Sequence, residues 1–119
     1  MSIPGLITLM GSGETAPSGR VLHEWALRKL DPPVNVSIME TPAGFELNSS
    51  YVAHRVSDFI EHRLQNFRPE MSVIPARRND SELGTNNLEV LRPLLSADYI
   101  FMGPGSPSYA VRHLAGSLA

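Results

Sequence analysis

The chain has 119 residues, 42% of them hydrophobic and 18% charged, with a formal net charge of −2. That length suits one domain with one core, and so small a charge offers no basic field for a nucleic-acid backbone. With no cysteine, disulfide frameworks and thiolate zinc sites are excluded, and a cytoplasmic protein is expected.

The opening apolar run, Gly5 to Met10, lacks the charged leader of a signal peptide. No stretch approaches the roughly 20 apolar residues of a membrane span. The run instead predicts a first strand that turns at Gly11-Ser12-Gly13-Glu14. A helix is expected from about Ser18 to Leu30, with Leu22, Trp25, Ala26 and Leu30 on its buried face and Asp31-Pro32-Pro33 as its stop. A second strand, Val34 to Met39, runs into Glu40-Thr41-Pro42-Ala43-Gly44.

The next segment carries the plainest helical period in the chain. Val52, Val56, Phe59, Ile60, Leu64 and Phe67 define one stripe, and Asn48, Ser49 or Ser50 would cap it. A third strand from about Met71 to Ala76 leads into the polar loop Arg77-Arg78-Asn79-Asp80, with Pro75 near the strand end, where proline is tolerated. Asn86 and Glu89 resemble a capping box opening a short helix that Pro93 would end. A fourth strand, Tyr99 to Met102, enters Gly103-Pro104-Gly105-Ser106-Pro107, and a last helix follows from Ser108 to about Leu118.

Four strand-helix alternations predict an α/β domain with an open parallel sheet between helical layers. The loops after the strands should gather at one end, where such sheets bind ligands. Gly11-Ser12-Gly13-Glu14-Thr15-Ala16 fits the G-x-G-x-x-A form of a dinucleotide fingerprint, and Glu40 stands near where an acid would hold a ribose hydroxyl. Against that, Pro17 removes an amide from the helix start. Two glycines permitting a tight turn is the weightier reading, so no cofactor is expected. A non-catalytic nucleotide-binding or regulatory domain is the alternative function.

Ser106 makes a poor nucleophile. An elbow needs small residues two places either side and an amide after the serine, and here Pro104 is bulky and Pro107 has no N–H. The amides of Gly105 and Ser106 suit oxyanion donors better. Arg77 and Arg78 are placed to clamp a carboxylate, and Glu14 or Glu46 to meet an amine. His54, Asp58 and His62 share a helix face but read as a solvated surface, not a metal site. His23 and His113 also read as helix-surface residues.

IPGLITLMGSGE, VNVSIMETPAG and above all ADYIFMGPGSPSYAVRHL resemble the N-terminal half of the cyanophycinase and dipeptidase E family. These are serine peptidases on a flavodoxin-like sheet, related to class I glutamine amidotransferases. The resemblance implies a small peptide or amide substrate and an acyl-enzyme mechanism. It also implies an oxyanion turn at Gly103-Pro104-Gly105-Ser106, with Gly105 and Ser106 as donors; from their place in the loops, Gly11, Ser12, Gly13, Glu14, Arg77 and Arg78 are expected around the substrate. Pro104 stands where the family has glycine and cannot donate. The family's nucleophile lies on a later G-x-S-A-G-A elbow, so residues 1–119 are expected to be the N-terminal part of a larger domain, inactive as they stand. A sheet cut there exposes Tyr99 to Met102 as an apolar edge, so a homo-oligomer is expected.

Overall fold

The computed structural model describes residues 5–119. Three strands form one parallel sheet: β1 (Asn35–Met39), β2 (Glu70–Ile74) and β3 (Tyr99–Met102), in the order β2-β1-β3. Val36 stands beside Met71 on one side and Tyr99 on the other. Among the described residues four α-helices accompany them: α1 (Pro17–Leu27) before β1, α2 (Ser49–Arg63) between β1 and β2, the short α3 (Leu88–Leu91) between β2 and β3, and α4 (Pro107–Leu114) after β3. The molecule is a small open α/β domain, and no helix among the described residues is long and apolar enough to cross a membrane.

The alternating side chains of the central strand divide the core between the two faces of the sheet. Val36 and Ile38 pack with Leu27 of α1 and with Ala53, Val56, Ile60 and Leu64 of α2 and its exit. Met39 turns the other way, onto Ile74, Ala76 and Leu91, with Val90, Leu94 and Leu114 against them. The segment joining β1 to β2 therefore lies on one face and the segment joining β2 to β3 on the opposite face. Parallel crossovers of one hand require this when the chain steps outward on one side of β1 and then returns past it to the other.

The expected stripe of α2 holds, since Val56, Ile60, Leu64 and Phe67 are all buried. α1 is rotated from expectation. Its buried residues are Gly19, His23, Ala26 and Leu27, while Trp25 is 47% exposed and carries Lys29 Nζ 4.5 Å over its ring.

The expected first strand does not form. Gly5 to Met10 lie outside the sheet, with Ile7 and Leu9 86% and 90% exposed, and the sheet has three strands where four were expected. The cause lies just downstream, where the chain is fastened to α1 and not to a strand. A Cβ on Gly19 would overlap the Gly13 carbonyl, so helix and loop touch backbone to backbone. One turn on, His23 Nε2 meets the Glu14 carbonyl at 2.9 Å. From there Ile7, Thr8 and Leu9 lie beside Val21, Leu22 and Trp25.

His23 is fully buried, which corrects the surface placement read for it. Because a carbonyl only accepts, Nε2 carries the proton. Nδ1 then accepts from the Tyr99 hydroxyl, 2.8 Å away. Both ring nitrogens are satisfied, which is what allows an imidazole inside the core. Burial holds its pKa below the usual 6.5, against the opposing pull of the Glu14 carbonyl and charge, and burial also raises the Tyr99 hydroxyl to about 12.

His23→Ala would strand the Tyr99 hydroxyl and the Glu14 carbonyl, costing roughly 3 kcal/mol in urea denaturation. With a depressed folded pKa, the unfolded chain takes up the proton first as pH falls below 6.5. The His23 contribution is therefore complete above that value and declines below it. Stability should fall as the pH drops below about 6.5, and His23→Gln should flatten that slope.

Candidate functional site

Three loops leave the carboxyl ends of the strands and meet around the turn Thr41–Ala43 and Gly44. At its start, Glu40 is 4% exposed. A carboxylate so placed needs polar partners, and its Oε1 accepts from Ser49 Oγ at 2.8 Å and from Arg77 Nε at 2.8 Å. Thr41 Oγ1 donates to the Ala76 carbonyl at 2.8 Å, so the exits of β1 and β2 are bonded twice.

The residue before Arg77 is under strain. Ala76 is fully buried with φ 30°, a region that costs a residue with a Cβ about 1–2 kcal/mol. Gly44 sits hard against Arg77, where a Cβ would overlap the Arg77 backbone.

The loop after β3 closes on the other side of the same turn. Gly105 has φ 156°, and a Cβ there would overlap Pro42. The Ser106 amide donates to the Pro42 carbonyl at 2.7 Å, and its hydroxyl accepts from the Tyr109 amide at 3.2 Å. Ser106 is thus the N-cap of α4. Of the two amides read as oxyanion donors, Ser106 is engaged by protein, and Gly105 donates to nothing among the described residues.

Arg77 and Arg78 part company. Arg77 is fixed by Glu40, whereas Arg78 pairs with Asp80 at 2.9 Å, both more than half exposed. Gly11, Ser12, Gly13 and Glu14 stand apart from this cluster. The Gly13 carbonyl accepts from the Ala16 amide and Glu14 is held at His23. The dinucleotide reading gains no support, because no strand precedes its loop among the described residues and Glu40 is bonded to Arg77 and Ser49. Glu46 is exposed.

His113 is buried too, correcting its surface placement. Its Nδ1 accepts from the Asn79 amide at 3.0 Å, and Tyr109 lies 4.3 Å away between ring centroids. His54 and His62 are exposed, each donating from Nδ1 to a carbonyl one turn back, Ser50 and Asp58. Among the described residues no group of three or more potential ligands could hold a metal ion.

Sequence inspection found Arg77 and Gly105 but missed Ser49 and Thr41, and weighed Glu40 only as a ribose ligand. The available signal was a lone acid at the end of a strand that carries no other charge, where a buried carboxylate needs a cation. No protein-family model, curated protein or solved structure matches the chain.

Gly105→Ala should cost more than about 2 kcal/mol, because the added Cβ meets backbone and the φ is one that glycine tolerates best. Ser106→Ala should cost only about 1 kcal/mol, the worth of a helix cap. Urea midpoints of the two variants check the order.

Proposed function

We propose that this chain supplies the sheet, the oxyanion donor and part of the substrate site of a serine peptidase-like hydrolase. The hydrolase would be similar to cyanophycinase and dipeptidase E, on a flavodoxin-like plan. One observation carries the reading: the Gly105 amide and the Arg77 guanidinium flank a single turn at the carboxyl end of a parallel sheet. At that end the loop after β1 leaves for one face and its neighbours leave for the other, the arrangement beside which open parallel sheets bind ligands.

The reaction would be acyl transfer to a serine. The nucleophile attacks the carbonyl of a small peptide or amide, charge builds on the carbonyl oxygen, and the Gly105 N–H donates to it. The amine then leaves with a proton, and water releases the acyl group. Ser106 is committed as a cap. The attacking serine and its base are assigned to a segment following Ala119 in the complete protein.

The test is to purify the native polypeptide from its source cells, treat it with a fluorophosphonate, and map the adduct. A product heavier than 13.0 kDa, labelled on a serine outside residues 1–119, is the expected result. A native product of that mass without label would overturn the reading. Gly105→Ala in the complete protein, at a temperature where it stays folded, should slow labelling roughly 100-fold, the worth of one oxyanion donor.

The proposal extends to self-association. Among the described residues β3 is an edge strand of four residues without charge or proline, and Ile100 and Met102 are about half exposed on one face. Such an edge tends to pair with another chain. Light scattering at micromolar concentration should give a dimer or higher oligomer that Ile100→Lys shifts to monomer; a monodisperse monomer of the unaltered chain counts against it.

A further inference from the structure

We infer that the cleft between the approach to α1 and the outer face of α2 binds a small phosphorylated polyol, with Arg55 and Arg63 on the phosphate and Asp58 and His62 on the hydroxyls. The inference goes beyond the hydrolase reading and does not depend on it, because none of these residues belongs to the turn around Glu40.

Helical spacing sets the arrangement. Arg55, Phe59 and Arg63 stand four apart and form one row along α2, and Asp58 and His62 form the row beside it. Taken alone, that would be a solvated face. The chain before α1 changes it, because Thr15 joins these residues in lining a cleft of about 340 Å³, a size within the range that holds small ligands. Arg20 Nε donates to the Arg63 carbonyl at 3.1 Å, which ties α1 to the end of α2 beside the cleft. Phe59 packs against the core and gives the cleft an anchored apolar wall.

The charged groups there are not paired within the protein. No ion pair among the described residues includes Arg55, Arg63 or Asp58, although Asp58 lies three residues from Arg55, a spacing at which such pairs form. Basic residues in the last turn of a helix offset its dipole, which accounts for Arg63. It does not account for Arg55, two turns earlier. His62 Nδ1 donates to the Asp58 carbonyl at 2.7 Å, so in the neutral ring Nε2 is an acceptor.

The donor set fits a phosphate monoester better than a carboxylate. One guanidinium fork satisfies a carboxylate, whereas two forks and the Thr15 hydroxyl match the three oxygens and double charge of the ester. In a chain of net charge −2, that local excess of cations is a feature of this face and not of the composition. Asp58 disfavours a bare anion, since like charges repel. An ionised carboxylate only accepts, so it calls for a donor on the same ligand, and His62 Nε2 calls for a second. A carbon skeleton bearing hydroxyls, lying against the Phe59 ring, supplies both.

The test is calorimetric titration of the 119-residue chain at physiological salt with glucose 6-phosphate, ribose 5-phosphate, glycerol 3-phosphate, inorganic phosphate and glucose. At least one ester should bind more tightly than inorganic phosphate, and glucose should give no binding heat. Arg55→Gln and Arg63→Gln should each weaken the ester roughly tenfold, the loss expected for one charge-assisted contact. Arg112→Gln, which removes an exposed arginine of α4, should leave the affinity within about twofold, as expected for a charge outside the contact.

Asp58→Asn should tighten inorganic phosphate and weaken the ester, opposite changes that a loss of folding cannot produce. All four substituted residues are exposed, so thermal midpoints should move by no more than about 3 °C. Failure of all three esters to bind would overturn the inference. Inorganic phosphate binding as tightly as the best ester, or an equal loss in Arg112→Gln and Arg55→Gln, would do the same.

Discussion

A carboxylate removed from water at the end of a central strand is the constraint around which the rest of this edge is organised. Glu40 continues β1, the strand with neighbours on both sides, and an ion in such a place costs several kcal/mol unless it is paired. Its two partners come from different parts of the chain, Ser49 from the start of α2 and Arg77 from the exit of β2. Satisfying one side chain therefore fixes where a helix begins and where a second loop leaves the sheet. Loss of a single partner leaves the charge buried and is worse than replacing the whole set by apolar groups.

Around that charge the loops are joined through their backbones. Glycine at 44 and at 105 lets one stretch of main chain rest directly on another, and the Ser106 amide closes the third loop onto Pro42. Contacts of this type leave little slack, because main chain cannot change rotamer to relieve a misfit. In the proposed hydrolase, a Gly105 amide held this way would be in place before charge appears, the condition under which hydrogen bonding lowers a barrier most.

How much of this was legible depended on whether the deciding contacts were local. The α2 stripe followed from periodicity, and the bounds of β3 from a short apolar run that ends in turn residues. Asn87 caps α3, accepting from Glu89 and Val90, one residue from the asparagine that spacing suggested. What failed was set by partners far along the chain. The Gly5 to Met10 run has a strand's composition, yet contacts of Gly13 and Glu14 with α1 carry it away from the sheet. His23 looked like a surface residue because its partner is Tyr99, 76 positions later. In the candidate site, Arg77 and Gly105 showed themselves by type and by loop, whereas the pairing of Glu40 with Ser49 and Arg77 exists only once three segments have met.

The last helix and the polar loop after β2 form one mechanical piece. His113 accepts from the Asn79 amide, Thr85 Oγ1 donates to the His113 carbonyl, and the Leu118 amide reaches Asn86. None of these bonds belongs to the sheet, and several pair a side chain of one segment with main chain of the other. When either segment opens, the other loses its partners, so their amides exchange with solvent in a single event. The exit of β2, where Arg77 stands, then shares its local stability with the far end of α4, and a change near the end of the described chain is felt where that strand leaves the sheet.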